Sequence, residues 1–165
     1  MIDDDAKAYL HDELRWIREA LLAKLDGLGE HDVRRPLTAT GTNLLGLVKH
    51  LSTWEARYFG EVFGRPFPEP LPERGTDLWA TEDETRAEIA GRYRRVWAHT
   101  DVTLFKVLVT FLTEINRHAG HADILREQLD GTTGLDAEAM AREPDAVARE
   151  ARRAEIERVA EAARR

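Results

Sequence analysis

The sequence contains no cysteine, and this absence excludes several kinds of site at once. A chain without thiols cannot form disulfides, cysteine-type zinc fingers or iron–sulfur clusters, and it has no cysteine nucleophile. Its good metal ligands are therefore carboxylates and its six histidines. A chain of 165 residues can bury roughly 70% of its unfolded surface in one core without help from a metal. Any metal ion would thus serve function more than stability.

Long apolar runs and an excess of basic charge are missing as well. No stretch approaches the roughly 18 apolar residues of a membrane helix, and the start, Met1-Ile2-Asp3-Asp4-Asp5, does not resemble a secretory signal. Lysine and arginine number 24 against 31 acidic residues, so the net charge of −7 argues against nucleic-acid binding. We expect a cytoplasmic protein. The preference for arginine over lysine is typical of a GC-rich bacterial genome.

Strand-like alternation is also missing, whereas apolar residues recur every three or four positions along most of the chain. This spacing predicts an all-α protein with four long helices. The first helix runs from about Asp5 to Asp26 and ends at Gly27 and Gly29. The second follows the hydroxyl groups of Thr40-Gly41-Thr42, which can cap it, and it extends to Val62.

The third and fourth helices have clearer signals. Thr81 and Glu84 have the spacing of a capping box and would open the third helix. The fourth helix has the strongest pattern in the chain, and Gly131 ends it. Its core positions, alternately four and three residues apart, are Leu104, Leu108, Phe111, Ile115, His118, Ala122, Leu125 and Leu129. A histidine thus occupies a position in the core stripe.

The connections between the helices indicate the topology. Residues 64–80 contain Pro66, Pro68, Pro70 and Pro72, which predicts an extended and exposed linker. A linker of about 17 residues suits a crossover along a bundle and leaves the second and third helices parallel. We therefore predict a four-helix bundle with one long crossover.

Two further segments bear on the organisation of the chain. For residues 99–103, between the third and fourth helices, we predict a short turn that makes these helices a hairpin. The alternative is one long helix through this point, with the bundle completed by a domain-swapped second copy. After Gly134 the sequence is rich in alanine, arginine and glutamate and has only a thin apolar stripe. We predict a bundle of residues 1–135 and a charged helical extension of residues 136–165.

Four side chains are candidates for a functional site. Successive helical residues project about 100° apart, which places His50 about 40° from Trp54, inside the apolar arc of the second helix. On the fourth helix, Glu114 precedes His118 by four residues and His121 follows by three, so the three share one face. Glu114 stands in an apolar stretch, where an unpaired carboxylate would be costly to bury.

The spacing allows three interpretations of these residues. His50, Glu114 and His118 could form a two-histidine, one-carboxylate metal site that leaves positions open for water or substrate. His50, His118 and His121 are a second ligand set. The structural alternative is a buried hydrogen bond between Glu114 and His118, with His50 elsewhere in the core. The remaining histidines are expected at the surface: His11, His31 and His99.

Three segments together resemble the DinB-like superfamily. They are Leu44-Leu45-Gly46-Leu47-Val48-Lys49-His50-Leu51, Tyr58-Phe59-Gly60-Glu61-Val62-Phe63-Gly64-Arg65 and Arg117-His118-Ala119-Gly120-His121-Ala122-Asp123-Ile124-Leu125-Arg126-Glu127. The resemblance covers residues 5–132. It is to the branch near the mini-circle proteins, which is related to mycothiol-dependent maleylpyruvate isomerase and to bacillithiol and mycothiol S-transferases.

This resemblance implies a fold and a set of ligands. The superfamily has an up-down-down-up four-helix bundle, in agreement with the predicted crossover. Its metal ligands are a histidine on the second helix and two residues four apart on the last helix, which implies His50, Glu114 and His118 here. His121 would be an additional ligand, a group beside the ligands or a proton donor. Relatives usually have a longer connection before the last helix, and commonly a histidine at the position of Thr110.

The resemblance also implies a function. It points to a metal-dependent S-transferase or isomerase in which a thiol such as mycothiol attacks a small electrophile. The divalent ion would be zinc, with nickel, iron and manganese as alternatives, and it would lower the pKa of the thiol. The alternative functions are a metal-dependent hydrolase and a non-catalytic, stress-related metal-binding bundle. A homodimer is implied by analogy, and no nucleic-acid or membrane partner is expected.

Overall fold

Helices account for all the regular secondary structure in the computed structural model, which describes residues 4–38, 40–100, 105–132 and 146–162. The helices in these ranges are α1 (Asp4–Ala23), α2 (Glu30–Arg34), α3 (Leu44–Phe63), α4 (Arg86–Thr100), α5 (Phe105–Asp130) and α6 (Ala146–Ala162). The prediction of an all-α fold is confirmed. None of these helices is both long and apolar enough to cross a membrane.

The helices α3 and α4 run parallel. Near their starts, the ammonium group of Lys49 lies 2.7 Å from a carboxylate oxygen of Glu84, just before α4. Toward their ends, the hydroxyl of Thr100 donates a hydrogen bond of 2.5 Å to the carboxylate of Glu55. Residue numbers therefore rise in the same direction along both helices. This confirms the crossover predicted from the length of the proline-containing linker.

The helix α5 runs parallel to α1. The guanidinium carbon of Arg18 lies 5.8 Å from the ring centre of Phe111, and six residues further along α1 the ammonium of Lys24 lies 2.6 Å from Asp123. Residue numbers therefore rise in the same direction along α1 and α5.

The same helix α5 is antiparallel to α3. Phe59 packs against Phe111 with ring centres 5.5 Å apart, whereas the earlier His50 packs against the later His118. The four helices of the bundle, α1, α3, α4 and α5, thus have the expected up-down-down-up arrangement. Because α4 and α5 run in opposite directions, they are two separate helices in this structure of one chain.

The centre of the bundle combines an apolar core with one buried ion pair. Buried side chains of α1, α3, α4 and α5 form the core, among them Leu14, Leu21, Leu45, Leu51, Ile89, Tyr93, Phe111 and Ile115. Within this core, the Arg18 guanidinium pairs with the carboxylate of Glu55, which is fully buried. Arg18 also lies against the rings of Trp97 and Phe111, so the pair contacts all four long helices.

Two helix ends in the first half of the chain differ from the predictions. α1 ends at Ala23, because the following residues turn toward Gly27, whose φ is +73°. α3 is capped by Asn43 and not by the preceding threonines. The Asn43 side-chain oxygen accepts a hydrogen bond of 2.8 Å from the amide of Gly46, the third residue of the helix. The short helix α2 was not predicted and buries Val33.

The start of α4 also differs. Its capping box is formed by Thr85 and Glu88. The Thr85 hydroxyl accepts a hydrogen bond from the Glu88 amide, and the Glu88 carboxylate accepts one from the Thr85 amide. The predicted pair, Thr81 and Glu84, forms a turn that lies four residues before this box. Both pairs have the right spacing, but Glu84 is engaged by Lys49 of α3. This tertiary ion pair holds Glu84 ahead of the helix.

The linker is not a freely exposed segment. Phe67 is buried against Ala56 and Val96 in a small second core. Further along, the buried ammonium of Lys49 donates hydrogen bonds to the carbonyls of Thr76 and Trp79 at 3.2 and 2.9 Å. The linker is therefore held against the first half of α3. Most of its residues are exposed and without regular secondary structure, as expected, but Phe67 and Asp77 are buried.

A glycine allows the linker to cross α3 at this point. A Cβ atom added to Gly46 would overlap the carbonyl oxygen of Leu78. The absence of a side chain at Gly46 thus permits close contact between the two backbones. The residue before this contact, Asp77, is 4% exposed and faces α3.

The predicted end of α5 is confirmed. Gly131 follows the helix with a φ of +75° and its amide donates to the carbonyl of Glu127. Parts of the predicted organisation lie outside the described residues: the hairpin residues 101–103, the side chains of Leu104 and Leu108, and the boundary at residues 135 and 136. The division into two regions stays a prediction. α6 lies within the predicted extension, and Arg149 donates to the Gly131 carbonyl.

Candidate functional site

Two of the predicted site residues, His50 of α3 and His118 of α5, lie side by side. Their ring centres are 5.3 Å apart and the rings are inclined by 71°. They meet because α3 and α5 are antiparallel neighbours and each residue lies at the edge of its helix's apolar face. This is the pairing that the helical spacing and the resemblance predicted.

His50 is held by a carboxylate from the linker. Its Nδ1 atom lies 2.7 Å from Oδ2 of Asp77, whose other oxygen accepts a hydrogen bond of 3.1 Å from the amide of Gly75. A carboxylate accepts hydrogen bonds, so Nδ1 is the donor to Asp77, and in the neutral imidazole this leaves the lone pair on Nε2. Sequence analysis missed Asp77, because nothing in the linker's composition indicates which helix it contacts.

His118 presents an unsatisfied nitrogen. Its buried Nδ1 atom has no hydrogen-bond partner in the described part of the chain. Burial, with repulsion from His50 and His121, lowers the pKa of His118 to about 4. The imidazole is therefore neutral at pH 7, the form in which a histidine nitrogen can ligate a metal ion.

The other two candidates lie at the margin of this pair. His121 is exposed, and its ring centre is 5.7 Å from that of His118. Glu114 is also exposed, and its carboxylate lies 3.7 Å from Arg117. The expectation of a buried Glu114 was wrong, as was the alternative of a buried Glu114–His118 hydrogen bond. Ile115 faces the core, and its neighbour Glu114 is turned toward solvent.

The three remaining histidines differ from one another. His31 is exposed, as expected. His11 and His99 are only partly exposed, and His99 Nε2 lies 3.1 Å from the carbonyl oxygen of Arg65. His99 also packs edge-on against Phe67, so it lies at the surface, as expected, but with contacts that the sequence did not indicate.

Two cavities open along the groove between α3 and α5. One has a volume of about 420 Å³, and its lining includes Trp54, Tyr58, Phe111 and Glu114. The other has a volume of about 290 Å³, and its lining includes Thr40, Thr42, Leu78 and His121. Both cavities are lined by His50 and His118. The histidine pair is therefore accessible to small molecules from two directions.

The donor set can be tested for its fit to a metal ion. Within the described ranges, no three histidine, aspartate or glutamate side chains are grouped closely enough to hold one. Two of the donors have a nitrogen without a protein partner in these contacts: Nδ1 of His118 is buried and unpaired, and Asp77 contacts Nδ1 of His50 and not its Nε2. Glu114 lines the same cavity but would have to turn away from Arg117. The three-ligand site stays a prediction.

Comparison with known proteins adds a family. No curated protein and no solved structure was found to match the chain. The sequence model of the family described as Mycothiol-S-transferase matches residues 9–105 and 98–131. These ranges include most of α1, all of α2 to α5 and the histidine pair, and the family is a branch of the DinB-like superfamily. The chain belongs to the mycothiol S-transferase family.

Proposed function

We propose that the protein transfers a low-molecular-weight thiol of the mycothiol type to a small electrophile in the groove between α3 and α5. One observation carries this proposal: the neutral His118, with its unpaired nitrogen, lies against His50 where two cavities meet. A buried imidazole nitrogen without a partner, next to a cavity, is a polar group that a bound metal ion or reactant would satisfy. Family membership indicates that this reactant is a thiol.

His50, Glu114 and His118 would hold a divalent metal ion, with zinc as the first candidate and nickel, iron or manganese as alternatives. A metal ion bound there lowers the pKa of a coordinated thiol and so supplies thiolate at neutral pH. Asp77 fixes the orientation of His50 and keeps its Nε2 available, as carboxylates commonly do for ligating histidines.

His121 is proposed to move the proton of the reaction. Its exposed ring lies beside His118 and lines the smaller cavity. The thiol sulfur forms a bond to the electrophilic carbon, and its proton passes to His121. With a halide, the carbon–halogen bond breaks and the halide leaves with the bonding electrons. With an epoxide, the carbon–oxygen bond breaks and the ring oxygen, which stays on the product, takes up the proton. With an activated alkene, a carbon atom of the product takes up the proton.

The test uses the full chain purified without a histidine tag. Its bound metal is measured by elemental analysis, and S-conjugation of mycothiol to a chlorinated fluorogenic electrophile is measured by product fluorescence. We expect bound metal and turnover, with both lost in His118→Ala and retained in the exposed control His31→Ala. Glu114→Gln should weaken metal binding without affecting folding.

Three results would overturn the proposal. Product formation that needs no thiol would indicate metal-assisted hydrolysis. Tightly bound metal without conjugation across a panel of epoxides, halides, quinones and activated alkenes would indicate a non-catalytic metal-binding protein. A protein that binds no metal, and whose metal affinity on addition is unchanged in His118→Ala, would exclude the ligand assignment.

A further inference from the structure

The groove between α3 and α5 is divided into two halves by the histidine pair. The larger cavity extends from His50 and His118 toward the end of α3, and the smaller extends toward its start. We call them the aromatic half and the threonine half. Because the two halves share only these histidines among the residues that line them, a molecule in either half reaches the same two imidazoles.

The aromatic half has an apolar wall and floor. Trp54 and Tyr58 follow His50 at intervals of four residues on α3, and Phe111 lies opposite on α5. Trp54 is 50% exposed, and its ring contacts His50 edge-on, with centres 6.4 Å apart. A large aromatic side chain left this exposed beside a cavity is suited to stack on a ligand ring.

The threonine half has a different chemistry. Thr40 and Thr42 contribute hydroxyl groups that lie 3.4 Å apart, a long distance for a hydrogen bond, and His121 contributes an exposed imidazole. The Thr40 hydroxyl also lies 3.0 Å from that of Thr38, so the Thr42 hydroxyl is the freer of the two to donate to or accept from a ligand. Asn43 also lines this half, but its side chain is already bonded to Gly41 and Gly46.

We propose that the two halves bind the two substrates separately: the aromatic half takes an apolar, ring-containing electrophile, and the threonine half takes the sugar portion of the thiol. This assignment rests on the proposed function. Sugar hydroxyls placed against the rings of Trp54 and Phe111 would lose hydrogen bonds to water that these rings do not replace, which is unfavourable, and Thr110 and Glu114 are at the edge of this half's lining as its polar partners. An apolar ring is released from water at the same surface, which is favourable.

The division also explains how the reactants meet. With the sugar portion beside Thr42 and His121, the thiol sulfur reaches the histidine pair from one side. The electrophilic carbon reaches the pair from the aromatic side. The sulfur–carbon bond then forms at His50 and His118, and the proton released from the thiol lies next to His121.

Steady-state kinetics with both substrates varied provides the first test. Trp54→Ala should raise the KM for a ring-containing electrophile about tenfold, with the KM for mycothiol unchanged within about a factor of two. Thr42→Val should raise the KM for mycothiol and leave that for the electrophile unchanged. A reversed pattern, or two variants with wild-type KM values for both substrates, would overturn the assignment.

The second test does not depend on turnover. The chain has four tryptophans, whose indole N–H signals can be resolved by ¹⁵N NMR and assigned by single replacement with phenylalanine. Addition of 1-naphthol should shift the Trp54 signal. The signal of Trp16, which is similarly exposed on α1, should stay unchanged. Glucosaminyl-inositol, which lacks the thiol, should shift the amides of Gly41 and Thr42 but not the Trp54 indole.

The two tests separate the possible failures. If no thiol is turned over but each probe shifts its own half, the proposed function fails and the ligand classes of the two halves stand. If 1-naphthol shifts Trp16 as strongly as Trp54, or glucosaminyl-inositol shifts Trp54, the assignment of the halves fails even in an active enzyme.

Discussion

Asp77 and His50, which are far apart in the chain, form a hydrogen bond of 2.7 Å at the side of the groove between α3 and α5. The contact depends on the linker, which Lys49 holds against α3 by hydrogen bonds to the carbonyls of Thr76 and Trp79. Asp77 lies between these two anchored residues. The orientation of His50 is thus determined by a segment that contributes no helix to the bundle.

Replacement of this carboxylate should weaken the site without unfolding the protein. In Asp77→Asn the neutral amide no longer stabilises the Nδ1–H form of His50, so zinc affinity should fall about 10- to 100-fold. Titration calorimetry with zinc measures this, and ¹⁵N NMR reports the tautomer of His50. Asp83→Asn, at an exposed position of the next turn, is the control. Unchanged affinity together with an unchanged tautomer would contradict the role of Asp77.

Two glycines should respond in opposite ways to alanine. In Gly46→Ala the new methyl group overlaps the Leu78 carbonyl, so the linker must move, at a cost of about 1–3 kcal/mol in the free energy of unfolding. In Gly120→Ala, on α5, the methyl group meets no atom within 4 Å, and the higher helix propensity of alanine should stabilise the protein by about 0.5–1 kcal/mol. Urea unfolding followed by circular dichroism measures both values. Equal effects would show that the linker does not need close contact at Gly46.

The buried ion pair should be costly to break on one side only. Burial raises the pKa of Glu55, and the Arg18 guanidinium and Thr100 oppose this shift. Glu55→Gln leaves the charge of Arg18 buried without a counter-charge and should cost about 3–5 kcal/mol in urea unfolding. The double replacement Arg18→Met with Glu55→Leu should recover most of this loss. The exposed ion pair between Arg158 and Glu155 on α6 offers a control, since Glu155→Gln should have no measurable effect on unfolding.

The anchor between Lys49 and Glu84 should make stability depend on acid pH. Burial alone would raise the pKa of Glu84, but hydrogen bonds from Lys49 and Thr81 outweigh it and hold the pKa below its ordinary value. The ionised group therefore stabilises the fold above the unfolded pKa of about 4.3, and this contribution is lost as the pH falls through the lower folded value. Glu84→Gln should lower stability at pH 7 and flatten the decline below pH 5, as measured by urea unfolding across that range. Glu82→Gln, which is exposed in the same turn, should keep the wild-type slope; an equal flattening in both variants would contradict the anchor.

Much of the fold could be predicted because helical periodicity is a local property. The apolar stripe of α5 predicted buried Phe111, Ile115 and Leu125, and all three are buried. Helix caps were less predictable, because two nearby pairs had the capping-box spacing. A tertiary contact, the ion pair of Glu84 with Lys49, determined which pair begins α4.

Helical periodicity also indicated which faces of the helices carry the two histidines. His50 and His118 lie on apolar arcs of neighbouring helices, and packing brings these arcs together. The orientation of Glu114 was not predictable from an apolar stretch alone, because a difference of one residue rotates a side chain by about 100° from core to solvent. The contact of His99 with Arg65 was likewise not predictable, since Arg65 belongs to the linker.

The sequence by itself determined the number of long helices, their parallel or antiparallel order and the presence of two histidines on facing helices, because spacing and linker length are readable along the chain. Only the tertiary structure decided that Asp77 orients His50, that Glu114 points to solvent and that the groove has two chemically different halves. Each of these depends on contacts between segments far apart in sequence. Such contacts are determined by packing, which local periodicity does not encode.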